Sequence, residues 1–199
     1  MPPLEALPVA YLPGANGRGS TWRAIAERLA RRRPPLLCDY AAHDGEGRPI
    51  DSAGELARCL LSSLPERCDV ISISAGAAVA LELALAEPAR VRRLVLVTPA
   101  SGVEIAKLGG LELYDAAGEL AAGWLFAERA LSGARLASLS APTLVVCGER
   151  DLIAPPAVGE HLLRCLPAAR LEVVAAATHD LELEQPDLLA SLIEAHLRR

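Results

Sequence analysis

Three residues of this 199-residue chain could together move a proton off a hydroxyl, and each stands just past a stretch that reads as a strand. Ser74 follows the β-branched run Val70-Ile71-Ser72-Ile73, and after it the chain turns to Ala and Leu, good helix formers, until Pro88. A strand that turns directly into a helix leaves no room for side chains at the bend, and Ser72, Ala75 and Gly76 keep the flanks small. Such an elbow holds the serine hydroxyl up at the strand end. Backbone N–H groups of the new helix then face any negative charge forming beside it. The competing reading of Ser74 is an ordinary helix cap, a position serine favours.

A serine hydroxyl is a poor nucleophile until a base takes its proton, and the base is usually histidine. Of the four histidines, His161 and His196 fall within predicted helices and read as surface residues. His43 lies in the loop after the second strand, and His179 just past the sixth, in Ala177-Thr178-His179-Asp180. Ligands of open α/β sheets bind at the C-terminal edge of the strands, which His43 and His179 can reach. A carboxylate must orient the base and stabilise its charged form. Asp151, in Gly148-Glu149-Arg150-Asp151 past the fifth strand, stands on that edge, with a turn aspartate beside Arg150 as its bland alternative. The chain order Ser74, Asp151, His179 is one in which nucleophile, acid and base follow three different strands.

The elements that must position them are predicted from apolar runs and breakers. Strands are expected at 8–12, 36–38, 70–73, 93–98, 143–147 and 171–174. Helices are expected from a Ser20 or Thr21 cap to about Arg31, from the capping box at Ser52-Ala53-Gly54-Glu55 to near Pro65, and over 75–86, 156–165 and 186–197. Arg31-Arg32-Arg33 reads as a solvated helix end, where the dipole favours cations. Strands without polar alternation, separated by helices, predict a parallel sheet covered on both faces, and right-handed crossovers make it a three-layer αβα sandwich. The segment 101–140 is far longer than one crossover requires and carries Tyr114, Trp124 and Phe126, half of the six aromatic residues. Placed at the C-terminal edge of the strands, it reads either as a lid over a pocket or as amphipathic helices patching the core.

Composition narrows the function classes. At 199 residues, 52% hydrophobic and 23% charged, one globular domain is expected. A net charge of −5 and 3% aromatic residues argue against a general nucleic-acid binder. Charges interrupt every apolar run before membrane-spanning length, and the N-terminus lacks the basic and apolar regions of a signal peptide. Five cysteines with no CxxC spacing make metal or disulfide roles unexpected and point to a reducing cytoplasm; Cys38 and Cys147 lie in strand-like runs and read as small apolar residues. Gly14-xxxx-Gly19-Ser20 has phosphate-loop spacing but Ser20 where lysine belongs, and Gly17-x-Gly19-x-x-Trp22 lacks the third glycine of a dinucleotide loop. Only Asp39, about twenty residues on, favours that second idea.

Leu12-Pro13-Gly14-Ala15, Ser72 to Gly76, Arg90 to Pro99, Ala141 to Asp151 and His179 to Pro186 together resemble the α/β-hydrolases. Against that family's pattern, Pro13 replaces the histidine of the oxyanion loop, Ser72 replaces an elbow glycine, and Thr178 stands where glycine is common. The resemblance covers nearly the whole chain except 101–140, and the family's N-terminal antiparallel hairpin is not expected here. It implies that the backbone N–H groups of Ala15 and Ala75 form an oxyanion hole. The expectation is then a single domain over 1–199 with a short helical lid at about 101–140. Its activity would be hydrolysis of a small carboxylic ester or thioester through an acyl-enzyme: Ser74 attacks, His179 shuttles the proton, Asp151 orients His179, and Tyr114, Trp124 and Phe126 line the pocket. Neither cofactor nor metal is expected, nor a nucleic-acid or membrane partner, and no surface can be assigned to an oligomer. A non-catalytic binding member of the fold, or lyase or perhydrolase chemistry on the same triad, are the alternatives.

Overall fold

The computed structural model of the chain describes residues 7–30, 33–111, 122–127 and 129–199. Six strands, β1 (Val9–Leu12), β2 (Pro35–Leu37), β3 (Cys68–Ile73), β4 (Val91–Val97), β5 (Thr143–Gly148) and β6 (Ala169–Val174), form one sheet in the order β2-β1-β3-β4-β5-β6. Every neighbouring pair is parallel. The sheet has the number of strands and the direction of pairing that the apolar runs predict. The order reverses between β1 and β3, so loops leaving those strands meet over a crevice at their C-terminal ends.

Each face of the sheet carries its own apolar layer. Val70, Leu94 and Leu96 pack on one side with residues of α2 (Ala53–Leu61), α3 (Gly76–Ala86) and α5 (Pro156–Cys165). Ile71, Ile73, Val95 and Val97 pack on the other with α1 (Arg23–Leu29) and α7 (Pro186–Leu197). All six residues of β3 are buried, Asp69 and Ser72 among them, so its apolar residues Val70, Ile71 and Ile73 show no polar alternation. Each fully buried Val, Leu or Ile contributes roughly 1.5–3 kcal/mol by leaving water. Two short helices complete the set, α4 (Gly133–Ala137) and α6 (Leu181–Glu184).

Cys38, Cys68 and Cys147 are buried, and burial pushes their thiols up to about 12, 11 and 12, so they behave as small apolar side chains. Two expectations change. Neither Ser20 nor Thr21 caps the first helix: a 3₁₀ turn over Gly19–Trp22 precedes α1, and Thr21 Oγ1 instead accepts from Asn16 Nδ2 at 2.9 Å. The turn is drawn in because Gly19 N–H donates to Asp39 Oδ1 at 2.8 Å, in a space where a Cβ would overlap the Cys38 backbone. Asp39 thus pins a turn rather than reading a ribose. His196 is not a surface residue; it is buried, with Nε2 3.1 Å from the Pro142 carbonyl.

Candidate active site

Ser74 joins β3 to α3 with φ +52, a left-handed conformation that non-glycine residues adopt only when their surroundings enforce it. The surroundings do so on both sides. Ser74 N–H donates to Val97 O at 2.9 Å, and Ser74 O accepts from Ala77 and Ala100 at 3.1 and 3.0 Å. Ser101 Oγ donates to Ala75 O at 2.6 Å and accepts from Ala78 N–H at 3.1 Å, clamping the first turn of α3. Gly76 is required there, because a Cβ would run into the Pro13 carbonyl. Ser74 does not cap the helix: Ala75 occupies the cap position, and the Ser74 hydroxyl points to a histidine.

That histidine is His179, whose Nε2 lies 2.8 Å from Ser74 Oγ and whose Nδ1 lies 2.8 Å from Asp151 Oδ2. A carboxylate only accepts, so Nδ1 carries the proton and Nε2 is left to accept from the serine. Asp151 is 2% exposed, and its other oxygen accepts from the Ile153 and Ala154 N–H groups, each at 2.9 Å. These two bonds fix the carboxylate independently of the imidazole. The loops bearing the acid and the base are zipped together: Glu149 N–H donates to Val174 O, Arg150 N–H to Ala177 O, and Ala176 N–H to Glu149 Oε2. Gly148 allows the approach, since a Cβ would meet the Ala177 and Thr178 carbonyls. Glu184 on α6 accepts from both the N–H and the hydroxyl of Thr178, at 2.8 and 2.7 Å, and so anchors the residue before the base. Glu182, two residues earlier on the same helix, is buried with Oε2 unpartnered among the described residues, and burial pushes its carboxyl above the usual range.

The loop after β1 lies directly over the elbow, with a Cβ at Gly14 only 3.4 Å from that of Ser74. Gly17 N–H closes a turn on Gly14 O at 3.0 Å, Tyr40 Oη donates to Pro13 O at 2.8 Å, and Ala122 N–H donates to Ala15 O at 2.8 Å. Ala15 and Ala75 are both buried, and among the described residues neither N–H donates to a protein acceptor. Two donors are thereby left over at the serine.

Elsewhere the sequence and the structure part. His43 is exposed and pairs with Pro49 in an isolated bridge. Of the three aromatic residues expected at the pocket, Tyr114 lies outside the described residues. Trp124 and Phe126 sit in a 3₁₀ turn (Gly123–Ala127), half-buried against the core. Phe126 lines a cavity of about 980 Å³ with Val103, Leu108 and Leu131; Trp124 is not among its lining residues. The cavity reaches the elbow through Ala100 and Ser101 but is lined by neither Ser74 nor His179. Sequence reasoning missed Tyr40, Ser101 and Glu184. Each is a polar residue just past a strand or in a short helix, where it reads as loop, and only the folded chain brings it against the site.

Comparison with known proteins agrees with this fold. The profile of the alpha/beta hydrolase family matches residues 9–132. The RutD protein of Azorhizobium caulinodans, named as a carbamate hydrolase, is 34% identical over 96 residues, covering 45% of this chain and 36% of that protein. A pimeloyl-[acyl-carrier protein] methyl ester esterase of Neisseria meningitidis is 39% identical over 66 residues, 33% of this chain and 26% of the esterase. The matches thus span 36% and 26% of those relatives' lengths. Among solved structures, a thermophilic esterase from Thermogutta terrifontis superposes with a TM-score of 0.78 at 22% identity, covering 96% of this chain and 89% of that one.

Proposed function

The chain belongs to the alpha/beta hydrolase family, and from that premise we propose that it is a serine hydrolase acting on a small carboxylic ester or thioester. The observation that carries this reading is the unbroken hydrogen-bonded line Ser74–His179–Asp151, with both links at 2.8 Å. The esterase and hydrolase names of the relatives support the reaction class.

In the proposed cycle Ser74 Oγ attacks the substrate carbonyl carbon while its proton passes to His179 Nε2. Asp151 holds Nδ1–H and stabilises the imidazolium as it forms. The carbonyl oxygen, now negative, is received by the unused Ala15 and Ala75 N–H groups, donors worth roughly 3–4 kcal/mol each in comparable enzymes. Collapse breaks the bond to the leaving alcohol or thiol, which takes the proton from His179. Water then repeats the sequence on the acyl-enzyme, with His179 again as base, and releases the acid. Val103, Leu108 and Phe126, which line the neighbouring cavity, would contribute apolar surface on the acyl side. Five free cysteines suit a reducing compartment such as the cytoplasm.

Hydrolysis of p-nitrophenyl esters and acyl thioesters of graded chain length tests the proposal, alongside labelling by a fluorophosphonate probe. Turnover with label on Ser74, and neither in Ser74→Ala, is expected. Full labelling of Ser74→Ala would place the nucleophile elsewhere.

A further inference from the structure

Oxyanion donors act only if their direction is fixed before the charge forms. The Ala15 N–H belongs to the peptide that follows Gly14, a residue with no Cβ to restrict its backbone. Gly17 N–H, donating to Gly14 O at 3.0 Å, fixes that peptide within the turn, so the aim of the Ala15 N–H at Ser74 depends on how the turn as a whole is held from outside. Pro13, which cannot donate, has a buried carbonyl that accepts from one partner among the described residues, the Tyr40 hydroxyl at 2.8 Å. On the other side of the turn, Gly17 O accepts from the Tyr40 backbone N–H at 2.9 Å. One residue thus fastens both ends of the Pro13–Gly17 turn, its side chain holding the near end and its backbone the far end. The same hydroxyl is 3.0 Å from where a Cβ on Gly76 would sit, so the loop, the phenol and the first turn of α3 meet at a single point beside Ser74.

Resting on the hydrolase reading, we infer that Tyr40 is a positioning residue for the oxyanion hole: its hydroxyl, held on the Pro13 carbonyl, aims the Ala15 N–H at the oxygen that becomes negative. Tyr40 itself touches no reacting atom. Burial holds its phenol well above the usual range, so it remains a neutral donor at every working pH.

The test is Tyr40→Phe, which keeps the ring and removes the bond, beside Tyr11→Phe as a control for losing a buried phenol outside the site. Tyr40→Phe should lower kcat about tenfold with KM within about twofold, a fraction of the cost of losing an oxyanion donor outright. The rate of fluorophosphonate labelling should fall by the same factor, while Tyr11→Phe leaves kcat and labelling unchanged. Backbone amide exchange over residues 14–17 should quicken in Tyr40→Phe alone. An unchanged kcat, or a rise in KM alone, would overturn the inference while leaving the hydrolase reading intact. Should the wild type neither turn over nor label, the hydrolase reading fails instead, and amide exchange still decides: no change over residues 14–17 means Tyr40 does not hold the turn.

Discussion

Two buried aspartates stand at opposite ends of the sheet and put the same chemical group to different uses. Asp151, at the C-terminal edge, accepts from two backbone N–H groups and one imidazole. Asp69, fully buried near the N-terminal end of β3, accepts from Arg92 Nε and Nη2 at 2.8 and 2.6 Å and from Arg33 Nη1 at 3.3 Å. Both guanidiniums go on to the Leu197 carbonyl, at 2.9 and 3.1 Å, tying the end of α7 to β3 and β4. A guanidinium keeps its proton at any working pH, so the Asp69 cluster is a fixed clamp. An imidazole has a second ring nitrogen free to accept a proton while the first stays on the carboxylate, so Asp151 braces a partner that faces a hydroxyl on its other side. What separates these two carboxylates is the partner, not the burial.

Substitution at the two positions should separate stability from turnover. Asp151→Asn keeps an oxygen for the Ile153 and Ala154 N–H groups but presents an amide N–H to His179 Nδ1, forcing the wrong tautomer. We expect kcat to fall about 10⁴-fold with the melting temperature near that of the wild type. A loss under tenfold in steady-state kinetics would remove Asp151 from the machinery. Asp69→Ala removes the carboxylate shared by two guanidiniums, leaving them the Leu197 carbonyl and, for Arg33, Glu194, and should cost about 3–5 kcal/mol in urea unfolding. The kcat of the folded fraction should not change. A fall in kcat without loss of stability would mean that the N-terminal clamp reaches the site, and the contrast between the two ends would break.

A smaller effect sharpens the picture at the N-terminal end. His196 is buried against Pro142 with Arg170 and Arg93 nearby, and burial, chiefly, pushes its imidazole down to about 4. In the unfolded chain a histidine takes a proton near pH 6.5, whereas the folded one resists until near 4. The neutral form therefore supports the fold above pH 6.5, and that support drains away as pH falls from 6.5 toward 4. The melting temperature should drop across this window, and His196→Gln should drop less. An identical pH dependence of melting in both proteins would assign the acid sensitivity to other groups.

How much of this could be read from the chain alone follows from how local each signal is. The β-branched runs fix β3, β4 and β5 to within a residue or two, because a parallel strand covered on both faces needs no partner to look apolar. Pro156 and Pro186 mark the starts of α5 and α7 for a similarly local reason: proline suits the first turn of a helix. Ser74, Asp151 and His179 are legible because each follows a strand, and parallel strands deliver all their C-terminal ends to one edge. The first helix was harder to place, because the pull on Gly19 comes from Asp39, twenty residues away. Tyr40 and Glu184 escaped for the same reason, since their partners Pro13 and Thr178 are made neighbours only by folding. Trp124 and Phe126 look alike in the sequence, and only folding sets them apart: both pack against the core, and Phe126 also lines the cavity.

The central claim is that Ser74 and His179 act as one unit, and a double-mutant cycle on kcat with a p-nitrophenyl ester tests it most directly. Ser74→Ala and His179→Ala should each reduce kcat by more than about 10⁴-fold, and the double variant should be no slower than either single one. Losses that multiply in the double variant, or a Ser74→Ala protein that retains most of its turnover, would contradict it.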